Sequence, residues 1–318
     1  VYEGYAVFSI VLSTLHIFVE YWAALFIYKH IRQNKSFSKI GKLFVKGSLI
    51  ALIISSIGPY MLGFLSANGL RESYLFDMSV YFYLHFQYNG WLFLFLIGIF
   101  LFILEKKGLI LQSHFLRKGF WISFISIFPG YFLSVLWVDL GGIFTTLAVI
   151  GSIGQWIGVL YIFIAVINNW DGVIRTTTRL TCSSLMITFL LLVVKSTLEL
   201  GLISPTVAEL VYDTRGIIIG YLHLTLLGFI SIFILTQLQM LNIINTTKKI
   251  VLVGFWIFYI GFGLNELLLF TKGLLSWMNF STIPLYLEGL LIASLLLFIG
   301  IAIIWYSIFD RQNKKMAG

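Results

Sequence analysis

The feature that most constrains this chain is a series of long apolar runs separated by short polar segments. A helix needs ~20 predominantly apolar residues to cross a bilayer, and inside lipid it satisfies its own backbone hydrogen bonds. We place such helices over 5–28, 43–65, 79–104, 119–138, 142–167, 180–203, 215–240, 250–271 and 282–308. The sequence therefore predicts an all-α polytopic bundle of about nine transmembrane helices, forming one transmembrane domain over 1–318.

The composition supports this fold class. Hydrophobic residues make up 59% of the chain and charged residues 11%, whereas an average soluble domain is roughly 45–50% apolar and about 25% charged. Cys182 is the single cysteine, which excludes a disulfide framework and a thiolate metal cluster. The expected surroundings of the chain are a lipid bilayer.

Lysine and arginine are distributed very unequally between alternate loops. One side has only Arg71, Arg215 and Lys272, and Lys195 lies within a helix. The other side holds Lys29, Arg32, Lys35, Lys39, Lys42, Lys46, Lys106, Lys107, Arg117, Lys118, Arg175, Arg179, Lys248, Lys249, Arg311, Lys314 and Lys315. Because cytoplasmic loops are enriched in these residues, we predict a cytoplasmic C-terminus and Val1 on the outside. The net charge of +8 then needs no nucleic-acid partner.

Three histidines fall within the predicted spans at comparable depth. With ~1.5 Å of rise per residue, His85 lies about 10 Å, His223 about 13 Å and His16 about 17 Å below the outer end of its helix. A neutral imidazole is a good ligand for iron, copper or zinc. We therefore predict a shared metal or cofactor site at this level, with hydrogen-bonded packing as the alternative for each histidine.

Acidic and basic side chains lie in the same outer layer. Lys195 and Glu199 share a helix face and are expected to pair, either simply neutralising each other or serving as a counter-charge or proton relay. Glu20, one turn beyond His16, is a candidate acceptor for that imidazole, a relay carboxyl or simply a buried neutral acid. Glu266 and Glu288 are further candidate relay groups, or simply hydrated acids.

Small and cyclic residues indicate how the helices pack. Gly151, Gly154 and Gly158 are spaced as in close helix–helix contacts. Pro59 and Pro129 are expected to kink their helices. We find no convincing internal repeat in the sequence.

Three segments carry a family resemblance. The stretches YLHFQYNGW (83–91) and GYLHLTLLG (220–228) resemble paired signatures of a group of uncharacterised bacterial polytopic membrane proteins. That group is distantly similar to the catalytic subunits of haem-copper oxidases and nitric-oxide reductases, and to NnrS-type proteins. A third motif of the group resembles TLHIFVEYW (14–22), where Thr14 replaces its leading histidine.

The resemblance implies haem b held by His16 and His223, with His85 as an alternative ligand or part of a copper-like site. Tyr88 shares the helix face of His85 and Tyr221 lies at the same level, where aromatic residues are more often interfacial or packing groups than part of a cofactor site. It also implies a bacterial inner membrane. A complete oxidase centre needs an adjacent histidine pair, which this chain lacks, and a second haem ligand where Tyr221 stands. We therefore expect no oxygen or nitric-oxide reduction.

Three hypotheses follow. The first is a haem-binding or degenerate oxidase-like protein for electron transfer, gas sensing or an accessory role in a respiratory assembly. The second is a proton-coupled transporter or channel with an outward-facing polar site. The third is a cofactor-free structural subunit that contacts other membrane subunits.

Overall fold

The computed structural model describes residues 7–34, 36–278, 280 and 283–316. The predicted outside position of Val1 lies outside these residues, as do the first two residues of the first predicted helix. The described part of the chain is helical and contains no β-strand. The prediction of an all-α fold is confirmed.

Nine helices in the described residues are long and apolar enough to cross a membrane, and we number them span 1 to span 9. They are Phe8–Gln33, Lys39–Ala67, Tyr74–Lys106, Ser113–Val135, Gly142–Ile167, Arg179–Gly201, Gly216–Met240, Lys249–Trp277 and Tyr286–Ile308. The chain is a multi-pass membrane protein.

Several spans are longer than the apolar runs predicted. Span 2 begins at Lys39 rather than 43, because the Ser38 hydroxyl accepts a hydrogen bond from the Gly41 N–H at 3.0 Å and caps the helix there. Basic side chains in this first turn can extend to the membrane surface. The hydropathy pattern therefore predicts the apolar part of such a helix and does not predict the residue at which the helix begins.

Contacts divide the chain into two compact units, Val1–Asn169 with spans 1 to 5 and Trp170–Gly318 with spans 6 to 9. Both units consist of spanning helices, so the predicted single transmembrane domain over 1–318 stays a prediction.

Both expected proline effects are present in the first unit. Span 2 is interrupted at Ser56, between the helices Lys39–Ser55 and Ile57–Ala67. Pro59 has no N–H for the carbonyl of Ser55 and its ring crowds that carbonyl, so the α-helix cannot run through this point unchanged. Pro129 lies at the end of the helix Ser113–Gly130, which tightens into a 3-10 turn over Tyr131–Val135.

Each unit also contains one π-helical segment directly after a histidine. In span 3 the α-helix Tyr74–His85 continues as the π-helix Phe86–Leu92 and then as Phe93–Lys106. In span 7 the α-helix Arg215–His223 continues as the π-helix Leu224–Ser231 and then as Ile232–Met240. Such wide turns are rare and frequently mark functional sites.

The second unit has two further short helices and a long final one. The short helices are Trp170–Thr176 and Pro205–Asp213, and the final helix runs over Tyr286–Met316. The last residues of this helix lie beyond span 9 and carry Lys314 and Lys315.

The same local sequence surrounds both π-segments. Tyr-Leu-His precedes each segment, a glycine follows the histidine by five residues, and an aromatic residue follows the glycine. Both glycines are packed tightly: a Cβ on Gly90 would lie 2.6 Å from Ala51 Cβ, and one on Gly228 would lie 2.6 Å from Phe262 Cζ. A side chain on Gly90 would clash with Ala51 Cβ on the neighbouring helix, whereas one on Gly228 would require the Phe262 ring to move.

The last two spans of each unit cross on a reciprocal glycine pair. A Cβ on Gly119 would lie 3.0 Å from the Gly158 carbonyl oxygen, and one on Gly158 would lie 3.1 Å from that of Gly119. In the second unit Gly254 and Gly300 make the same reciprocal approach at 3.2 and 2.8 Å. The glycine packing predicted for span 5 is confirmed. Spans 3 to 5 and spans 7 to 9 thus share these local features, and the expectation that the sequence holds no convincing internal repeat stays a prediction.

Candidate functional site

A polar cluster surrounds Glu20 in the first unit, and we call it the Glu20 cluster: Glu20, His16, Ser55 and Gln87. His16 Nε2 lies 3.2 Å from Glu20 Oε1. Gln87 Nε2 lies 3.5 Å from the same oxygen and donates to Ser55 Oγ at 3.0 Å. Glu20 Oε2 is buried and has no hydrogen-bond partner in the described residues.

The break in span 2 supplies the polar surface opposite Glu20. The hydroxyls of Ser55 and Ser56 donate to carbonyls three residues earlier, at 2.7 and 2.6 Å, a bond that competes with regular helix geometry. Tyr21 OH lies 2.5 Å from Ser56 Oγ. Because Pro59 lacks an N–H, the carbonyl of Ser55 also loses its helical donor.

His85 is buried on the π-segment of span 3, with both ring nitrogens engaged. Nε2 lies 2.8 Å from the Ile127 carbonyl, which can only accept, so Nε2 carries the hydrogen. Nδ1 then accepts from Asn89 Nδ2 at 3.3 Å. The carbonyl of Ile127 is available because its helix tightens near Pro129. In this arrangement His85 has no lone pair left for a metal.

The predicted pair Lys195 and Glu199 is present in the second unit. Lys195 Nζ lies 2.9 Å from Glu199 Oε1, and the side chains are only 6% and 14% exposed. Tyr221 OH donates to the same carboxylate oxygen at 2.5 Å. The ammonium also lies 5.9 Å from the centre of the Tyr221 ring, where the ring face attracts it. Two opposite charges and a hydroxyl thus stabilise one another inside the bundle.

A second group in this unit joins His223 to Glu266 through Asn265. Asn265 Nδ2 lies 2.7 Å from His223 Nδ1 and 3.5 Å from Glu266 Oε1. An amide nitrogen can only donate, so Nδ1 accepts and His223 Nε2 carries the hydrogen. Glu266 is buried, and its Oε2 has no hydrogen-bond partner in the part of the chain that the structure describes.

The remaining predicted site residues lie apart from these groups. Tyr88 is half-buried and Glu288 is exposed, whereas His16 belongs to the Glu20 cluster and its side chain is 63% exposed. His16 and His85 belong to the first unit and His223 to the second. Among the described residues, no three His, Cys, Asp or Glu side chains are grouped so that they could hold a metal ion.

Sequence reasoning missed Ser55 and Ser56. Serine is common in membrane helices and does not stand out in a hydropathy pattern. The available signal was Pro59, because a proline removes the donor for the carbonyl four residues before it. That carbonyl belongs to Ser55.

Comparison with known proteins identifies no relative: no protein-family model matches the chain, and no curated protein matches it.

Proposed function

We propose that this protein conducts protons across its membrane through carboxyl groups buried within the spans. The observation that carries the proposal is the state of Glu20 and Glu266. In both carboxyl groups Oε1 is contacted by a neighbouring amide nitrogen. The other oxygen, Oε2, is buried and has no hydrogen-bond partner among the residues that the structure describes. Ionisable groups are costly in lipid and characteristically mark proton or ion pathways.

The second unit supports the proposal with a group that responds to protonation. Asn265 Nδ2 can contact His223 Nδ1 only while that nitrogen is unprotonated, since a protonated imidazole donates from both nitrogens. A proton on Nδ1 requires the amide to turn its oxygen toward the ring. The turned amide no longer donates to Glu266 Oε1. Protonation of His223 is thereby linked to the hydrogen bonding of Glu266.

Lys195, Glu199 and Tyr221 have a different role in this proposal. Lys195 compensates the charge of Glu199, and the Tyr221 hydroxyl adds a hydrogen bond to the same oxygen. A compensated pair of this kind fixes the geometry of a bundle more readily than it exchanges protons. We assign these residues to holding span 7 against span 6.

The proposed function is tested with proteoliposomes that contain the purified protein and a trapped pH-sensitive dye. A potassium gradient with valinomycin supplies the driving voltage. We expect wild-type vesicles to acidify at least tenfold faster than empty vesicles, and Glu266→Gln to reduce the rate toward the empty level. Glu72→Gln is the control, since Glu72 is exposed. Equal rates in wild-type and empty vesicles would refute the proposal.

We further propose that the C-terminus is cytoplasmic and that the protein resides in the bacterial inner membrane. The asymmetric distribution of lysine and arginine supports the orientation, and the motif resemblance supports the membrane. Glu266 then lies toward the outer half of the bilayer and Glu20 near its middle. A C-terminal alkaline phosphatase fusion should be inactive and a fluorescent-protein fusion bright.

Haem binding stays a prediction, and the arrangement of the histidines favours it less. His85 offers no lone pair, and His223 Nε2 carries a hydrogen as long as Nδ1 accepts from Asn265. His223 would fit a haem iron only after the Asn265 amide turns, so that Nδ1 donates and Nε2 is free. A Soret band in protein purified after expression with haem supplied would revive this hypothesis, and its loss in His223→Ala would locate the ligand.

A further inference from the structure

We propose that the Glu20 cluster binds a sodium ion, an inference that goes beyond the proposed proton conduction and names a second ion for the first unit. The ligands are Glu20 Oε2 on span 1 and the hydroxyl and carbonyl of Ser55 on span 2. The Gln87 amide on span 3 now points its nitrogen at Glu20 and Ser55, and it adds its oxygen as a ligand when the ion binds and the amide turns over. Carboxylate, hydroxyl and carbonyl oxygens are the donors that hard cations prefer.

The break in span 2 provides the oxygen atoms. In an intact helix the Ser55 carbonyl would accept from residue 59, which is proline here. Ser55 is fully buried and Gln87 is 7% exposed, so neither is satisfied by bulk water. Discontinuous membrane helices commonly use freed carbonyls in this way to coordinate sodium ions or protons.

The charge of the cluster favours a monovalent ion. Glu20 is its single acidic group, and His16, on the same helix, is the one group in the cluster that can become cationic. A divalent ion would leave an uncompensated charge in the membrane, which is costly. One monovalent cation neutralises the carboxylate.

In the second unit a buried cation lies one helical turn after a contact of the motif glycine Gly228. A Cβ on the motif glycine Gly90 would contact Ala51, and one on Gly228 would lie 3.3 Å from Leu191 Cδ1. Ser55 follows Ala51 by four residues in the first unit, and Lys195 follows Leu191 by four residues in the second. The ammonium of Lys195 pairs with Glu199 there. In the second unit the lysine ammonium itself neutralises the Glu199 carboxylate. In the first unit the Glu20 carboxylate has oxygen ligands beside it and, among the described residues, no lysine.

Close helix packing restricts the size of the ion. Spans 2 and 3 approach closely on both sides of Ser55: a Cβ on Gly58 would lie 2.7 Å from the Ser79 carbonyl oxygen, and one on Gly90 would lie 2.6 Å from Ala51 Cβ. Packed backbones cannot separate easily to widen a site. This arrangement selects the smaller sodium ion over potassium.

The experiment measures binding of radioactive sodium to the purified full-length chain in detergent, with thermal unfolding followed in parallel. Sodium, potassium and choline chlorides are compared at equal ionic strength. We expect saturable sodium binding and a rise of several degrees in the unfolding temperature with sodium alone, because a ligand of the native state stabilises it. Glu20→Gln should abolish both effects, and Ser55→Ala should weaken sodium binding at least tenfold.

Ser48→Ala is the matched control for Ser55→Ala. Ser48 is equally buried in the same helix, and its hydroxyl makes the same bond to a carbonyl three residues earlier, at 2.7 Å. Sodium binding should be unchanged in this variant. If Glu20→Gln fails to fold, the comparison of Ser55→Ala with Ser48→Ala still decides the question.

Three outcomes would overturn the proposal: equal stabilisation by all three salts, no saturable sodium binding to the wild type, or equal weakening in both serine variants. Proton flux measured without sodium tests the proposed conduction separately from sodium binding. Flux without sodium binding would refute the sodium site alone. Sodium binding without flux would refute proton conduction and leave the ion site standing.

Discussion

Replacing Lys195 by methionine removes one charge of a buried pair and leaves the Glu199 carboxylate in the bundle. Breaking such a pair from one side typically costs about 3–5 kcal/mol. The hydrogen bond from Tyr221 to the carboxylate, of a kind that contributes about 1.5–3 kcal/mol, remains in the variant. We therefore expect Lys195→Met to lower the free energy of unfolding by about 3 kcal/mol, the lower end of that range.

Replacing Glu199 instead should lower the free energy of unfolding more than Lys195→Met does, and replacing both residues should lower it less. Glu199→Gln leaves the ammonium, which is 6% exposed, without its carboxylate, and we expect a loss of about 4 kcal/mol. The double variant Lys195→Met/Glu199→Gln leaves no unpaired charge in the bundle, and the amide oxygen of the glutamine at position 199 still accepts a hydrogen bond from Tyr221. It should lose only about 1 kcal/mol.

The assay is reversible unfolding in mixed micelles, with the free energy of unfolding determined for each variant. Lys249→Met is the control, since this exposed lysine begins span 8 and its replacement should change stability by less than about 0.5 kcal/mol. The double variant is decisive. A loss equal to the sum of the two single losses would show that the charges do not compensate each other, and the reasoning would fail.

Two further predictions concern packing and hydrogen bonding. Gly300→Val should destabilise the second unit by about 1–3 kcal/mol, because its Cβ would lie 2.7 Å from Phe258 N. Gly263→Ala is the control, since a Cβ there meets open space, and thermal unfolding compares the stabilities of the two variants. His85→Phe should lower the free energy of unfolding by about 1–3 kcal/mol, because the Ile127 carbonyl loses its hydrogen-bond donor, and it should leave proton flux unchanged. A loss of proton flux without a loss of stability would instead assign His85 a direct role in conduction.

The sequence predicted the membrane class, and the structure confirms it. An apolar run of sufficient length is a local property that decides whether a segment crosses lipid, whatever its neighbours do. The pairing of Lys195 with Glu199 was predictable for the same reason, since it depends on spacing within one helix. The interruptions near Pro59 and Pro129 also follow from local backbone chemistry.

The partners of the histidines could not be predicted from spacing. His85 meets a carbonyl of span 4 that is available only because that helix tightens after Gly130. His223 meets Asn265 on span 8. A π-turn adds a residue to the helical turn and rotates every side chain that follows, so the face that each later residue presents depends on where the segment begins.

The sequence by itself therefore determined which segments are long and apolar enough to cross the membrane and which ionisable groups lie within them, because both depend only on segment length and residue type. The tertiary structure decided which of those groups meet. It brings Glu20 to Ser55 and Gln87, and Glu266 to Asn265, through helix breaks, wide turns and glycine contacts between helices. These contacts depend on helix rotation and separation, which no single segment encodes.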